Sequence, residues 1–359
     1  MYDSATVKSI KRETKDSVVV ALSVPDDKNN EYRYKQGQSL TLIKTLNDEE
    51  LRRSYSICSS VNDNELRVGI KKVEGGRFST WANTELEEGD ELLLLPPSGS
   101  FYTELNKEHQ HNYVGVAAGS GITPILSILK TTLESEPLSS FTLIYGNQTT
   151  DTIMFLEEIA DLKNRYTDRF RVFNILSREV QNAELLNGRI DKNKIELFLQ
   201  STLSTQNIDH VFLCGPYEMV MDAQTAFVDA GIDQANVHTE LFGTPDELTK
   251  IAEKSVKQLT EEEAKHVSEV TVRIDGIGTR IQLARGGKNL LDAALEVRKD
   301  LPFACKGGVC ATCKAKVVEG EVEMDLNYSL SKEEVEQGFI LTCQSHPISD
   351  KVTVDFDQK

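Results

Sequence analysis

Phe303-Ala304-Cys305-Lys306-Gly307-Gly308-Val309-Cys310-Ala311-Thr312-Cys313-Lys314 leaves four residues between its first two cysteines and two between the next pair, and Cys343 follows after 29 more. This is the ligand spacing of a plant-type 2Fe-2S cluster. The small residues Gly307, Gly308 and Ala311 let backbone N–H groups wrap close to the cluster sulfides and stabilise their negative charge. The rival is a structural zinc site, which more often pairs two CxxC knuckles or mixes in histidine; here the nearest histidine is His346. The spacing favours Cys305, Cys310, Cys313 and Cys343 as iron ligands.

Around this loop the third block of the chain carries two strands, Val270 to Ile274 and Thr279 to Leu283, then an amphipathic helix near Leu290 to Val297, then closing strands. Upstream, the polar, charge-rich run from Gly243 to about His266 reads as a tether. Four of the six cysteines crowd the last sixth of the chain, which in a cytosolic protein points to metal ligation and not to disulfides. Cys58 and Cys214 stand alone, as small buried hydrophobes usually do.

The first hundred residues show short alternating runs, among them Val18 to Val24, Ser39 to Ile43, Leu66 to Val73 and Glu91 to Leu95, with Gly, Asp and Asn turns between. That spacing predicts an antiparallel barrel or sandwich. From Tyr113 onward, runs at Tyr113 to Ala118, Phe141 to Tyr145, Arg171 to Leu176, His210 to Cys214 and Val237 to Phe242 alternate with helical stretches. Five such strands predict an open parallel sheet with crossover helices. The expected division is 1–106, 107–242, a linker at 243–267, and 268–359.

At 359 residues the chain exceeds what one core normally supports, and 39% hydrophobic, 27% charged residues with 9 Pro mark a globular protein. The amino terminus reaches Lys8, Lys11 and Arg12 with no apolar core before them, so neither a signal peptide nor a membrane helix is expected and the cytoplasm is the expected compartment. A net charge of -17 argues against nucleic acid or an anionic membrane surface as partner.

Two further segments carry chemistry. Arg53-Ser54-Tyr55-Ser56 is expected after a strand, and Gly75-Gly76-Arg77-Phe78-Ser79 before a short helix. An arginine to pair a phosphate, a tyrosine ring to pack on a flavin, a serine hydroxyl at the ring edge and bare N–H groups at a helix start together suit a flavin dinucleotide. An ordinary surface turn accounts for the same residues on sequence alone. Ala117-Ala118-Gly119-Ser120-Gly121-Ile122-Thr123-Pro124 follows the first strand of the α/β block and opens a helix, with Thr123 as candidate N-cap and Pro124 in the first turn. It lacks the third glycine of the usual dinucleotide fingerprint. Cys214-Gly215-Pro216 lies after the fourth strand of that sheet, where the binding crevice of a parallel sheet falls. Ser177, Arg178 and Arg189 offer hydroxyl and cationic groups for a 2′-phosphate, which favours NADPH over NADH.

In this order the elements resemble the ferredoxin-NADP reductase superfamily, specifically members with a carboxy-terminal plant-type ferredoxin domain of β-grasp form, over nearly the whole chain. Arg53 to Cys58, Glu74 to Ser79, Ala117 to Pro124, Phe303 to Lys314 and Asn327 to Leu330 look like the reductase subunits of phenylacetyl-CoA epoxidases. The resemblance implies FAD held by Arg53, Tyr55, Ser56, Gly76, Arg77, Phe78 and Ser79, with the backbone of Val68, Gly69 and Ile70 alongside. It implies NADPH held by Gly119, Ser120, Gly121, Ile122, Thr123, Pro124, Ser177, Arg178, Arg189, Cys214, Gly215 and Pro216. Tyr145-Gly146-Asn147 matches a loop lining the nucleotide cleft, and Ser56, Cys214, Glu240 and Phe242 fall about the reacting centre. The implied partner is a multicomponent di-iron oxygenase, docking on an exposed Cys305 to Cys313 loop made locally basic by Lys306 and Lys314. A ring hydroxylase, a desaturase, a hybrid-cluster protein, or a redox-sensing role without turnover are the other readings.

Overall fold

A computed structural model describes residues 2–203, 208–242 and 266–358. The first block is a six-stranded antiparallel sheet, ordered β4-β3-β6-β1-β2-β5. Its strands are β1 (Asp3–Thr14), β2 (Ser17–Ser23), β3 (Ser39–Leu46), β4 (Glu49–Ser56), β5 (Leu66–Lys71) and, after helix α1 (Arg77–Thr84), β6 (Glu91–Ser98). The two edges meet where Ile57 bridges Val68 and the Cys58 N–H donates to the Arg67 carbonyl at 2.9 Å, so the sheet curls toward a barrel around Val20, Leu40, Leu42, Val68 and Leu94. The runs read from sequence leave out β1 and β4. In both, charged residues fill the outward positions and dilute the apolar alternation. Arg53 to Ser56 consequently lie within β4 and not after it.

The second block is a five-stranded parallel sheet, ordered β11-β10-β7-β8-β9. It runs β7 (Asn112–Ala118), α2 (Ile122–Ser135), β8 (Ser140–Asn147), α3 (Leu156–Arg165), β9 (Phe170–Leu176), α4 (Lys192–Ser201), β10 (His210–Gly215), α5 (Tyr217–Asp229) and β11 (Val237–Leu241). The chain builds outward from β7 first on one side and then on the other, which makes the β7/β10 boundary the topological switch point. Helix α2 packs between this sheet and the barrel: Ser127 donates to the Ser59 carbonyl at 2.7 Å, and the buried Lys130 pairs with Asp63 and Glu158 at 2.6 and 2.7 Å. Val19, Cys58 and Phe101 of the barrel belong to the same core cluster as α2, so the two blocks share an interior.

The third block is a mixed sheet, β13-β12-β18-β14-β16, with β12 and β18 parallel. It comprises β12 (Val267–Ile274), β13 (Ile277–Ala284), α6 (Leu290–Val297), β14 (Lys314–Glu319), β15 (Val322–Met324), α7 (Lys332–Glu336), β16 (Phe339–Leu341), β17 (Ser345–Pro347) and β18 (Lys351–Asp355). Leu290, Leu291 and Ala294 of α6 bury against Val270, Val272 and Val354. Most of the expected linker lies outside the described residues, and Val267 already opens β12.

Candidate functional site

All three blocks line one cavity of about 1230 Å³. The barrel contributes Arg53, Tyr55, Ser56, Gly69, Gly76, Arg77, Phe78 and Ser79, the parallel sheet Ser120, Thr123, Glu240 and Phe242, and the third block Cys305, Cys310 and Tyr328. Residues far apart in sequence that were singled out for separate reasons therefore face each other.

On the barrel side, strand alternation sends Val68 and Ile70 into the core and leaves Gly69 at the cavity. A Cβ on Gly69 would come within 2.8 Å of Thr123 Cγ2, so the barrel and the dinucleotide loop meet only because this residue is glycine. Gly76 caps α1 without a side-chain hydrogen bond, which leaves first-turn N–H groups open to an anion. The Ser79 hydroxyl braces the loop, accepting from Val73 N at 3.1 Å and donating to the Gly76 carbonyl at 3.3 Å. Arg77 is engaged with Glu49 and the Leu46 carbonyl, whereas among the described residues exposed Arg53 donates only to the Arg52 carbonyl. Tyr55 packs on Phe78 with ring centroids 5.7 Å apart.

At the sheet's switch point Gly119, with φ of 54°, starts a single 3-10 turn over Gly119–Gly121 that leads into α2. Gly121 therefore caps α2, and Thr123 falls inside the first turn, its hydroxyl donating to the Ser120 carbonyl at 3.0 Å. The expected Thr123 cap is corrected by this extra turn, which shifts the helix start upstream. Ile122 and Pro124 are buried beneath the loop. A Cβ on Gly121 would lie 2.2 Å from the Cys214 carbonyl oxygen, so the two loops at the switch point abut. Buried Tyr145 supports the same turn by donating to the Gly119 carbonyl at 2.9 Å; the Tyr-Gly-Asn match had suggested a cleft-lining residue, and the hydroxyl acts from beneath.

Ser177 and Arg178 continue the ladder beyond β9, their N–H groups donating to the Asn147 and Gln148 carbonyls at 3.0 and 2.8 Å. Gly188 N donates to the Leu176 carbonyl at 2.8 Å, which brings Arg189 alongside. Ser177, Arg178 and Arg189 are exposed and lie outside the cavity lining, on the β9 edge of the sheet.

The reacting centre is more tightly built. Ser56 donates to Glu240 Oε1 at 3.0 Å. Burial pushes the Glu240 carboxyl up to about 7, against the pull of the Ser56 hydrogen bond. Cys214 pairs with Glu240 across β10 and β11, is fully buried, and has its thiol pushed up by burial and by that carboxylate. Phe242 N donates to the Gly215 carbonyl at 3.0 Å, fixing Phe242 at the cavity, while Pro216 caps α5.

In the cysteine loop Lys306 and Ala311 adopt φ of 54° and 51°, and Gly308 77°, conformations that turn successive N–H groups inward. Cys305 N donates to Cys310 Sγ at 3.5 Å and Gly307 N to Cys305 Sγ at 3.3 Å. Among the described residues the one trio of ligating atoms mutually within 4.8 Å is His109, His111 and Glu136, while Cys305, Cys310, Cys313 and Cys343 are a set of four thiols with no histidine among them. That donor set fits a two-iron cluster better than a single zinc ion. The histidine trio is a closed network: Glu136 Oε1 accepts from Asn106 N and His109 at 3.0 and 2.8 Å, and Oε2 from Tyr113 and Ser139 at 3.0 and 2.7 Å.

One side of the loop packs against the other two blocks. Thr312 lies 3.3 Å from Thr41 Oγ1, and Ser100 donates to the Ser329 carbonyl at 3.1 Å. Tyr328 meets Tyr217 edge-on at 6.2 Å. Lys306 and Lys314, expected to make the loop basic, are paired with Asp292 and Glu334 at 2.6 and 3.0 Å.

Three family models match the chain: an oxidoreductase FAD-binding domain over residues 4–102, an oxidoreductase NAD-binding domain over 116–225, and a 2Fe-2S iron-sulfur cluster binding domain over 272–347. The chain is 43% identical to one of the subunits of the 1,2-phenylacetyl-CoA epoxidase of Escherichia coli (strain K12), over 100% of this chain and 98% of that protein. It is 30% identical to the ferredoxin reductase component of 3-ketosteroid-9-alpha-monooxygenase from Rhodococcus rhodochrous, over 98% and 96% of the two chains. Phthalate dioxygenase reductase superposes with a TM-score of 0.58 at 21% identity, covering 99% of this chain and 98% of that one, which shows a common fold. Among the described residues no helix is long and apolar enough to cross a membrane. With FAD-binding, NAD-binding and 2Fe-2S domains in that order along its whole length, the chain belongs to the three-domain oxidoreductases of the ferredoxin-NADP reductase superfamily that serve as reductase components of oxygenases.

Proposed function

We propose that the chain takes reducing equivalents from NADPH and delivers them one at a time to a di-iron oxygenase acting on phenylacetyl-CoA. One observation carries this reading: the half-buried Ser56–Glu240 pair and the thiols of Cys305 and Cys310 line the same cavity, so the hydride-accepting and electron-exporting sites adjoin. Bound FAD supplies the step from two electrons to one, and the cluster the outgoing single electrons.

In this reading Arg53, Tyr55, Ser56, Gly76 to Ser79 and the backbone of Val68 to Ile70 hold FAD. Gly119 to Pro124, Ser177, Arg178, Arg189 and Cys214 to Pro216 hold NADPH, and Cys305, Cys310, Cys313 and Cys343 hold the cluster. Glu240 and Phe242 would border the flavin where the nicotinamide must stack. Ser56 orients its hydroxyl at the cavity, and Glu240, with a carboxyl pushed up to about 7, holds or releases a proton at Oε1 near neutral pH. The working division is 1–106, 107–242, linker 243–267 and 268–359. NADPH is favoured because two exposed guanidinium groups, Arg178 and Arg189, stand at the β9 edge with no hydrogen-bond or ion-pair partner among the described residues. The oxygenase and its substrate are carried over from the Escherichia coli relative.

The test is reconstitution of purified protein with the candidate oxygenase, NADPH and phenylacetyl-CoA, scoring substrate-dependent NADPH oxidation and epoxide formation. Oxidation that is only uncoupled oxygen reduction, beside efficient turnover of another oxygenase or desaturase, would leave the reductase and remove the partner.

A further inference from the structure

We infer that Arg52 is the positioning residue that seats the 2Fe-2S domain on the flavin domain in register for electron transfer, an inference that rests on the electron path proposed above. Arg52 is only 6% exposed, although it carries a permanent charge on a barrel strand. Such a group stays buried only when its donors are matched. Its Nε donates to Glu50 Oε1 at 2.8 Å, and its other end reaches the Tyr2 hydroxyl. Its third nitrogen reaches across to the other domain: Nη1 donates to the Leu301 carbonyl at 3.1 Å, in a buried contact. The guanidinium also lies 4.2 Å from the centroid of the Phe303 ring, two residues before Cys305.

Strand geometry ties this contact to the reacting centre. Arg52, Ser54 and Ser56 are alternate residues of β4 and so share one face. Along that row Arg52 grips Leu301 and Phe303, Ser54 stands 3.5 Å from Thr312 Oγ1, and Ser56 donates to Glu240. One short strand thus fixes the cluster loop and the hydride site against each other. A lysine cannot replace the arginine, because the planar fork serves Glu50, Tyr2 and Leu301 at once while stacking on Phe303.

The experiment uses full-length holoprotein as wild type, Arg52→Ala and Arg52→Lys, with Phe303→Leu as a second route should the alanine variant fail to fold. Anaerobic stopped-flow with NADPH follows flavin and cluster bleaching separately, and hydrogen exchange follows residues 301–312. Removing a charge-assisted contact is expected to lower the docking equilibrium roughly tenfold or more. Cluster reduction then slows by about that factor, flavin reduction keeps its wild-type rate, and exchange at 301–312 rises. Unchanged cluster reduction with unchanged exchange overturns the inference. If flavin in the wild type never reduces the cluster, the proposed electron path falls, and the exchange contrast alone then decides whether Arg52 seats the domain.

Discussion

Ser56 and Glu240, 184 positions apart, meet through a 3.0 Å hydrogen bond that joins the barrel to the last strand of the parallel sheet. The bond is made inside the cavity, and among the described residues it is the one side-chain hydrogen bond to a carboxyl that burial has already pushed up to about 7. Ser56→Ala removes the hydroxyl from the reacting centre and leaves Glu240 without its donor. We expect flavin reduction by NADPH to slow roughly a hundredfold, within the range for loss of a positioned proton-handling group, with little change in nucleotide affinity. Anaerobic stopped-flow at the flavin band measures both quantities; a wild-type rate would remove Ser56 from the chemistry.

Cys310→Ala should abolish the cluster and spare the flavin site. The third block has its own buried core around Val270, Leu290 and Val354, and among the described residues only the half-buried Val309 and Tyr328 pack against the core of the parallel sheet. Purified variant is expected to hold FAD, lack iron, and still reduce ferricyanide with NADPH at close to the wild-type rate. Loss of flavin reduction would mean that the blocks are not functionally separable.

Arg178→Ala and Arg189→Ala should each raise the KM for NADPH roughly tenfold, the factor that about 1.4 kcal/mol of lost charge-assisted bonding represents. NADH, which has no 2′-phosphate, should be unaffected. Parallel steady-state titrations with the two nucleotides decide the point, and equal effects on both would show that these arginines do not select the phosphate.

How much of this was legible in sequence varies with the physics of each segment. The central parallel strands β7, β8 and β10 were readable because buried apolar residues run through each one, and the cysteine spacing named its chemistry outright. Strands β1 and β4 were not readable, since residues such as Lys8, Lys11, Arg12, Glu49 and Arg53 interrupt their pattern while the backbone ladder forms regardless. The resemblance placed Ser56 and Glu240 about the reacting centre without pairing them, and no local signal encodes their contact. Arg52 carries no sequence signal, and Tyr145 is marked only as part of a cleft-lining loop: one acts through a carbonyl of another domain and the other through the Gly119 carbonyl, and backbone acceptors leave no mark in sequence. The resemblance implied an exposed cysteine loop made locally basic by Lys306 and Lys314, yet those lysines are paired with Asp292 and Glu334.

His238 gives a stability prediction independent of any cofactor. Its ring lies nearly parallel to Phe212 at 4.7 Å, and its Nε2 is 3.4 Å from His210 Nδ1. Burial, and secondarily the neighbouring His210, pushes its pKa down from 6.5 to about 4. His210 is pushed down as well, chiefly by burial and then by His111, while Asp209 and Glu136 nearby pull it the other way. The unfolded chain therefore binds a proton at His238 that the folded chain refuses. Unfolded protein binding more protons means that stability rises with pH across that window, so the His238 penalty is absent above about 6.5 and grows as pH falls toward about 4. The slope for one such group is at most about 1.4 kcal/mol per pH unit. His238→Phe keeps a ring against Phe212 and removes the titration. Calorimetric melts of the wild type should lose more stability between about pH 7 and about pH 5 than melts of the variant. The Cys310→Ala background keeps acid release of the cluster from contributing to either curve. Identical pH dependence in the two proteins would mean that His238 is hydrated enough in the folded state to accept its proton normally.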